Sequence, residues 1–307
     1  MQTLVTGVSG YIGAALAGRL KQDGHAVRGF ARSGERVAAA GVALDDLLLG
    51  DATTGAGLER ALDGVDVAYY LMHSMEGPVG AFAEAERRSV AAFVQAADGA
   101  GLRRVVFLGG LVPAGATPSR HLSSRLAVER ALLDGVPEAI ALRASIVIGA
   151  RSRSFRFLVR LIERLPVLAL PAWRENRTAP IDGRDVIDYL ARAATAPARL
   201  TGRSCDIAGP DVMTYAAMIA RIADALMVRR PALELGLSLT PVAAIVAAAI
   251  AGEDPALIEP LMESLEHDLL PREGDAAAAF GVHLHDFGAA VERALRDWER
   301  TEELAAR

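Results

Sequence analysis

Short apolar runs and longer amphipathic ones take turns along the first half of the chain. "TLVTG" (Thr3–Gly7), "HAVRGFAR" (His25–Arg32), "ALDDLLLGD" (Ala43–Asp51), "DVAYYLM" (Asp66–Met72), "RRVVFLGG" (Arg103–Gly110) and "EAIALRASIVIG" (Glu138–Gly149) read as six strands. Between them, "YIGAALAGRLKQDG" (Tyr11–Gly24), "GLERALDG" (Gly57–Gly64), an alanine-rich stretch from Val79 to Ala100 and "SSRLAVERALLDG" (Ser123–Gly135) place apolar residues at helical spacing. Gly24 closes the first of these helices. Strand–helix alternation predicts right-handed βαβ units in a parallel sheet. Continuous apolar runs such as "VVFLG" predict a sheet covered on both faces.

The pattern loosens after Gly149. The stretch from Ala150 to Pro180 mixes charge, aromatics and prolines, which predicts a helix and an irregular segment leaving the sheet. "IDGRDVIDYLARAAT" (Ile181–Thr195) reads as a helix, "SCDIAGPD" (Ser204–Asp211) as a short extra strand, and the remainder as mostly helical. The expected class is α/β, a doubly wound parallel sheet with a small, mostly helical C-terminal substrate lobe. Residues 1–150 would form the nucleotide-binding part. Residues 151–307 would form the substrate-binding segment and lobe, interleaved with the sheet edge into one unit.

The 307 residues, 52% apolar and 23% charged, suit one large core with an appended lobe. A net charge of -5 offers no basic footprint for nucleic acid. The single cysteine, Cys205, excludes a disulfide framework and points to a reducing compartment. The first strand starts so near Met1 that no signal peptide is expected, and the expected location is cytoplasmic. The most apolar later stretch, "PVAAIVAAAIAG" (Pro241–Gly252), is shorter than the roughly 20 residues of a bilayer span and predicts a buried helix, not a membrane anchor. The histidines and the cysteine show no ligand spacing, so no metal is expected.

"TGVSGYIG" (Thr6–Gly13) lies between the first strand and the first helix. Gly7, Gly10 and Gly13 give the spacing TGxxGxxG, in which one glycine permits a tight turn, one admits a pyrophosphate and one lets helix and strand pack closely. The helix amino end, starting with Tyr11 and Ile12, offers free N–H groups and about half a positive charge, and Ser9 adds a hydroxyl. In this context the loop reads as a dinucleotide-binding turn of the Rossmann kind, against an ordinary strand-to-helix turn. After the second strand, where an NAD site commonly carries an acid, "GFARSGER" supplies Arg32, with Ser33 and Arg36 behind it. A guanidinium there suits a 2′-phosphate, so NADP(H) is the expected cofactor; the alternative is a solvated surface arginine. Asp51, with Ala52, is placed either to meet the adenine or to cap a turn. Leu71 and Ala144, at the ends of the fourth and sixth strands, complete the expected cofactor contacts.

These residues resemble the extended and atypical short-chain dehydrogenase/reductases, and more narrowly the NmrA-like bacterial group of NAD(P)-binding oxidoreductases. The narrower likeness rests on "VAYYLMHSM", "VVFLGGL" with "HLSSRLAVE", "LRASIVIG" with "SFRFL", "APIDGRDVIDYL" and "PLMESLEHDLL". The resemblance implies a Rossmann fold and a nicotinamide cofactor. It also implies a Tyr-xxx-Lys pair after the fifth strand and a serine upstream. Here that spacing falls on His121 and Arg125, and the serine position on Gly109 or Gly110.

Three routes stay open. His121 replaces the tyrosine as acid, with an unperturbed pKa near 6.5 that a nearby arginine lowers. Alternatively the protein supplies only binding and geometry, and the proton comes from water or from a hydroxyl of the substrate. Or the chain binds NADP(H) without turnover, as a sensing module. Arg125, permanently cationic, is a candidate to hold the nicotinamide ribose or phosphate. His73 and Ser74 are further polar candidates near the reacting end. Ser123 and Ser124 read as caps of the following helix.

Ligands in such sheets bind beyond the carboxyl ends of the strands. Pro113, Phe155 and Trp173 are expected to wall an apolar pocket there, and Arg151, Arg153 and Arg174 to meet an anionic group. The expected function is an NADPH-dependent ketoreductase of an apolar, aromatic polyketide or quinone-like carbonyl. Its alternatives are the sensing module and a C=C reductase of the isoflavone-reductase kind. A small-molecule substrate is the expected partner, with the chain a monomer or homodimer.

Overall fold

The computed structural model describes residues 1–73, 81–234, 265–272 and 275–304. Ser74, the apolar stretch 241–252 and the start of "PLMESLEHDLL" lie outside them. The strands are β1 (Gln2–Thr6), β2 (Ala26–Ala31), β3 (Asp46–Leu49), β4 (Val67–Tyr70), β5 (Arg104–Gly110), β6 (Ile140–Ala144), the short β7 (Val147–Ile148), β8 (Leu168–Leu170), β9 (Arg177–Thr178) and β10 (Ile181–Asp182), and then β11 (Arg203–Ile207), β12 (Met213–Thr214) and β13 (Ala232–Glu234). The helices are α1 (Tyr11–Gln22), α2 (Gly34–Ala39), α3 (Leu58–Leu62), α4 (Ala81–Gly99), α5 (Arg120–Gly135), α6 (Arg153–Arg164), α7 (Gly183–Ala193), α8 (Tyr215–Ala225), α9 (Ala276–Phe280) and α10 (Phe287–Glu299).

Seven parallel strands form the main sheet in the order β11-β6-β5-β4-β1-β2-β3. Period-two alternation sends side chains to opposite faces. Leu4, Ala68, Tyr70, Phe107 and Ala141 pack against Leu62, Phe93, Val128 and Leu132 of α3, α4 and α5. Val5, Tyr69, Val106 and Leu142 pack against Leu16, Leu20, Val186 and Leu190 of α1 and α7. This is the doubly wound α/β Rossmann architecture expected from continuous apolar strands. Strand order reverses between β1 and β4. There the buried Thr6 hydroxyl donates to the Tyr69 carbonyl at 2.9 Å and accepts from the Leu71 N–H at 3.1 Å, tying the two strands together where they begin to part.

Two details differ from the pattern reading. The sixth apolar run divides after Ala144: the Ser145 N–H still bonds the Ile207 carbonyl of the neighbouring strand, whereas β7 pairs with β10 outside the main sheet. And α5 starts at Arg120, capped by Ser119, whose hydroxyl accepts from the Leu122 N–H at 3.3 Å. Ser123 and Ser124 are therefore inside the helix and do not cap it.

The second half of the chain serves both sheet and lobe. β11 completes the sheet beside β6, and α7 packs on α1. The Glu129 carboxylate fastens this edge, accepting from Arg143 Nη2 and Ser204 Oγ, each at 2.6 Å. Helices α6, α8 and α10 enclose a separate core of Phe155, Phe157, Trp173, Tyr215, Ile222, Leu295 and Trp298. Arg156 and Arg160 stack over Trp298, 4.2 and 4.9 Å from its ring.

Candidate nucleotide-binding cleft

The carboxyl ends of the central strands open into a cleft of about 800 Å³. Its floor is the glycine loop. Gly7 has φ +64°, and a Cβ on it would stand 2.7 Å from the Leu71 carbonyl oxygen, so only glycine fits. A Cβ on Gly13 would strike the Gly7 carbonyl oxygen, and one on Gly10 would come within 3.2 Å of it. The Gly10 N–H donates to that oxygen at 3.0 Å and closes the turn. α1 then begins at the cleft with no side-chain cap and no acid in its first turn. The N–H groups of Tyr11, Ile12 and Gly13 are left for an anion. A dinucleotide fits this cradle: the loop is bare, the helix end is positive, and the cleft crosses the switch point between β1 and β4.

One arm of the cleft lies beyond β2 and β3. Arg32, Ser33, Arg36, Asp51 and Ala52 line it together. Ser33 caps α2, accepting from the Arg36 N–H at 3.3 Å. Asp51 accepts from the Thr53 N–H at 2.8 Å, which is the turn cap weighed for it, and faces the cleft as well. Ser9, Leu71 and Ala144 join the same lining. The Tyr11 hydroxyl lies so close to Gly149 and Gly183 that a Cβ on either would strike it. Burial, then Asp182, raises its pKa to about 12, so this ring is a neutral wall between loop and lobe.

The other arm lies beyond β4 and β5. His73 and His121 stack there with ring centroids 4.8 Å apart and planes 7° from parallel. Beneath them Arg125, 6% exposed, donates from Nη1 to Glu86 Oε1 at 2.9 Å and to the Met72 carbonyl at 3.1 Å, and from Nη2 to the Leu108 carbonyl at 3.0 Å. The Ser124 hydroxyl donates to the other Glu86 oxygen at 2.6 Å. The guanidinium is thus held by a carboxylate and two backbone carbonyls while it lines the cleft.

The same packing settles the histidines. Loss of solvation and then the Arg125 charge push the His121 pKa down to about 4, with Glu86 opposing. His73 is held well below the usual histidine range by the same two causes and by His121 and Arg153. Both rings are neutral at pH 7. The arginine lowers the His121 pKa as expected, burial lowers it further, and the uncharged rings can offer imidazole N–H donors to the cleft. Gly109 and Gly110 line the cleft without a hydroxyl, and the nearby Ser145 hydroxyl is shared with Thr178 Oγ1 at 3.2 Å.

The expected apolar walls are placed elsewhere. Phe155 is fully buried in the lobe core. Trp173 packs edge-on to Tyr215 at 6.0 Å and lines a separate small cavity. Pro113 is buried, its carbonyl accepting from Arg272 Nη2 at 3.0 Å. Arg174 pairs with Glu175 at 3.1 Å. The apolar lining comes instead from Leu111, Leu122, Ile146 and Leu269, with Arg151 and Arg153 beside them. Glu86 is the residue that pattern reading missed. Its signal was a carboxylate on the buried stripe of α4, one turn before Val90 and two before Phe93. Among the described residues, no group of three or more His, Cys, Asp or Glu could hold a metal, and no helix is long and apolar enough to cross a membrane.

Residues 7–134 match the family model described as NAD(P)H-binding. Over 114 residues, 37% of this chain, the sequence is 26% identical to the mitochondrial NADH dehydrogenase [ubiquinone] 1 alpha subcomplex subunit 9 of Arabidopsis thaliana, and the match spans 28% of that protein's length. In fold, the chain is similar to gox2253 (TM-score 0.74, 19% identity, 97% of each chain). It is similar also to the UDP-glucose 4-epimerase of Thermotoga maritima (TM-score 0.73, 13% identity, 98% of this chain and 99% of that one). A short-chain dehydrogenase/reductase superfamily protein of Agrobacterium tumefaciens with bound NAD has a TM-score of 0.70 at 18% identity, over 98% of each chain. The chain is thus similar to NAD(P)H-binding proteins in sequence over residues 7–134, and shares the Rossmann fold of these solved structures over nearly its whole length.

Proposed function

We propose that the chain is an NADPH-dependent reductase of a carbonyl group on a largely apolar substrate. The observation that carries this reading is the pair of uncharged imidazoles facing the same cleft as the glycine cradle. The Tyr11, Ile12 and Gly13 N–H groups would hold the pyrophosphate, and Arg32 with Arg36 the 2′-phosphate. Bound there, the reduced nicotinamide supplies a hydride. His121, neutral at pH 7, donates a hydrogen bond to the carbonyl oxygen and stabilises the charge that develops on it, as preorganised neutral donors do. The proton that completes the alcohol comes from solvent or from a hydroxyl on the substrate, since both cleft histidines are uncharged at pH 7. Burial, and then the charge of Arg125, keep both imidazoles unprotonated.

A second reading, binding without turnover, is favoured by the same clamp on Arg125, which commits to the fold the cation that stands in the lysine position. NADPH oxidation against a panel of quinones and polycyclic ketones separates the two. His121→Phe should lower turnover by roughly 100-fold and leave the NADPH dissociation constant within a factor of two. No oxidation of NADPH with any carbonyl, despite tight binding, favours the sensing module.

A further inference from the structure

The cleft ends on the amino terminus of α6, where three features meet. Ser152 stands at the cap position, yet its hydroxyl caps nothing. The residue is only 7% exposed and lines the cleft. With no cap bond to make, the hydroxyl is free to meet a ligand group in the cleft. The first turn of this 12-residue helix also contains no acid, so its N–H groups and dipole are uncompensated.

Arg151 and Arg153 flank Ser152 and line the same cleft. Among the described residues neither pairs with a carboxylate, whereas further along α6 Arg156 and Arg160 are matched by Glu302 and Glu163. Arg153 is close enough to the reacting arm that its charge disfavours protonation of His73. Two guanidiniums, a helix end and a hydroxyl that makes no cap bond converge on one end of the cleft, beside Leu111, Ile146 and Leu269.

We propose that Ser152, Arg151 and Arg153 form a subsite for an anionic group, a carboxylate or a phosphate, carried by the carbonyl substrate. The word substrate rests on the reductase reading; the anion site does not. The anion would accept from the Ser152 hydroxyl, from the first N–H groups of α6 and from the two guanidiniums. The predicted substrate is therefore an apolar carbonyl compound with an acidic appendage, not a neutral ketone.

Calorimetric titration of the full chain, with and without saturating NADPH, tests this with three probes of one shape: 2-naphthoate, 2-naphthyl phosphate and the neutral 2-naphthamide. At least one anion should bind about tenfold or more tighter than the amide, and the tighter of the two names the group. The preference should vanish in the Arg151→Ala/Arg153→Ala variant and shrink in Ser152→Ala, with thermal melts confirming that both fold. Anions that bind no better than the amide, including no binding by any probe, overturn the subsite, as does a preference that survives in the double variant. Failure of the reductase reading looks different: the anion preference persists while no carbonyl oxidises NADPH.

Discussion

Glu86 Oε1 accepts from Arg125 Nη1 at 2.9 Å, in a pair whose side chains are 4% and 7% exposed. α4 and α5 are thereby joined directly beneath the two cleft histidines. The pair fixes Arg125 to the wall of the cleft. Removing one partner of a buried pair leaves an uncompensated charge and costs about 3–5 kcal/mol. Glu86→Ala should lose stability of that size in urea denaturation, and Glu86→Leu/Arg125→Met clearly less than the sum of its single changes. Additive losses would show that the two residues act independently.

The glycine loop makes a separate prediction. A Cβ at Gly7 meets the Leu71 carbonyl oxygen at 2.7 Å with φ at +64°, and one at Gly13 strikes the Gly7 carbonyl. Each change forces backbone apart at about 1–3 kcal/mol and displaces the N–H groups that face the cleft. Gly13→Ala should lower the melting temperature and weaken NADPH binding together. Gly18→Ala, in the same helix with nothing within 4 Å of the added carbon, should do neither.

The sheet was legible because its signal is local. Leu4 and Val5, Tyr69 and Tyr70, or Val106 and Phe107 face opposite ways by geometry alone, and each finds a helical layer. The glycine loop was legible for the same reason, since TGxxGxxG sits between one strand and one helix. What could not be read were relationships set by tertiary contacts. Glu86 and Arg125 lie in different helices, and no spacing rule links them. Phe155 and Trp173 are aromatic residues near cleft loops, but α6 and the turn at Trp173 face them into the lobe. His121 was found by spacing, whereas its protonation state depends on Arg125 and on the packing around it.

That protonation state is measurable. His121 has a folded-state pKa of about 4, below its unfolded value near 6.5. Between these values the unfolded chain binds more protons, so stability is fully present above pH 6.5 and is lost as pH falls toward 4. His73 shifts in the same direction. By NMR the His121 ring should not titrate between pH 8 and 5.5. Urea midpoints should drop from pH 7 to pH 5, and the drop should be smaller in His121→Phe. A titration midpoint near 6.5 would restore the histidine acid.

Cofactor choice rests on the β2 arm. Hydrogen bonds to charged groups contribute about 1.5–3 kcal/mol each. Arg32→Ala should therefore weaken NADPH binding by at least about tenfold while NADH affinity stays the same. Equal effects on both nucleotides would place Arg32 away from the 2′-phosphate.

The most direct test of the whole account is a fluorescence titration of the full chain with NADPH and with NADH, followed by NADPH oxidation against quinones and polycyclic ketones. Saturable binding is expected, NADPH tighter than NADH, with oxidation that appears only when a carbonyl compound is added. Saturable binding of neither nucleotide would contradict it at its root.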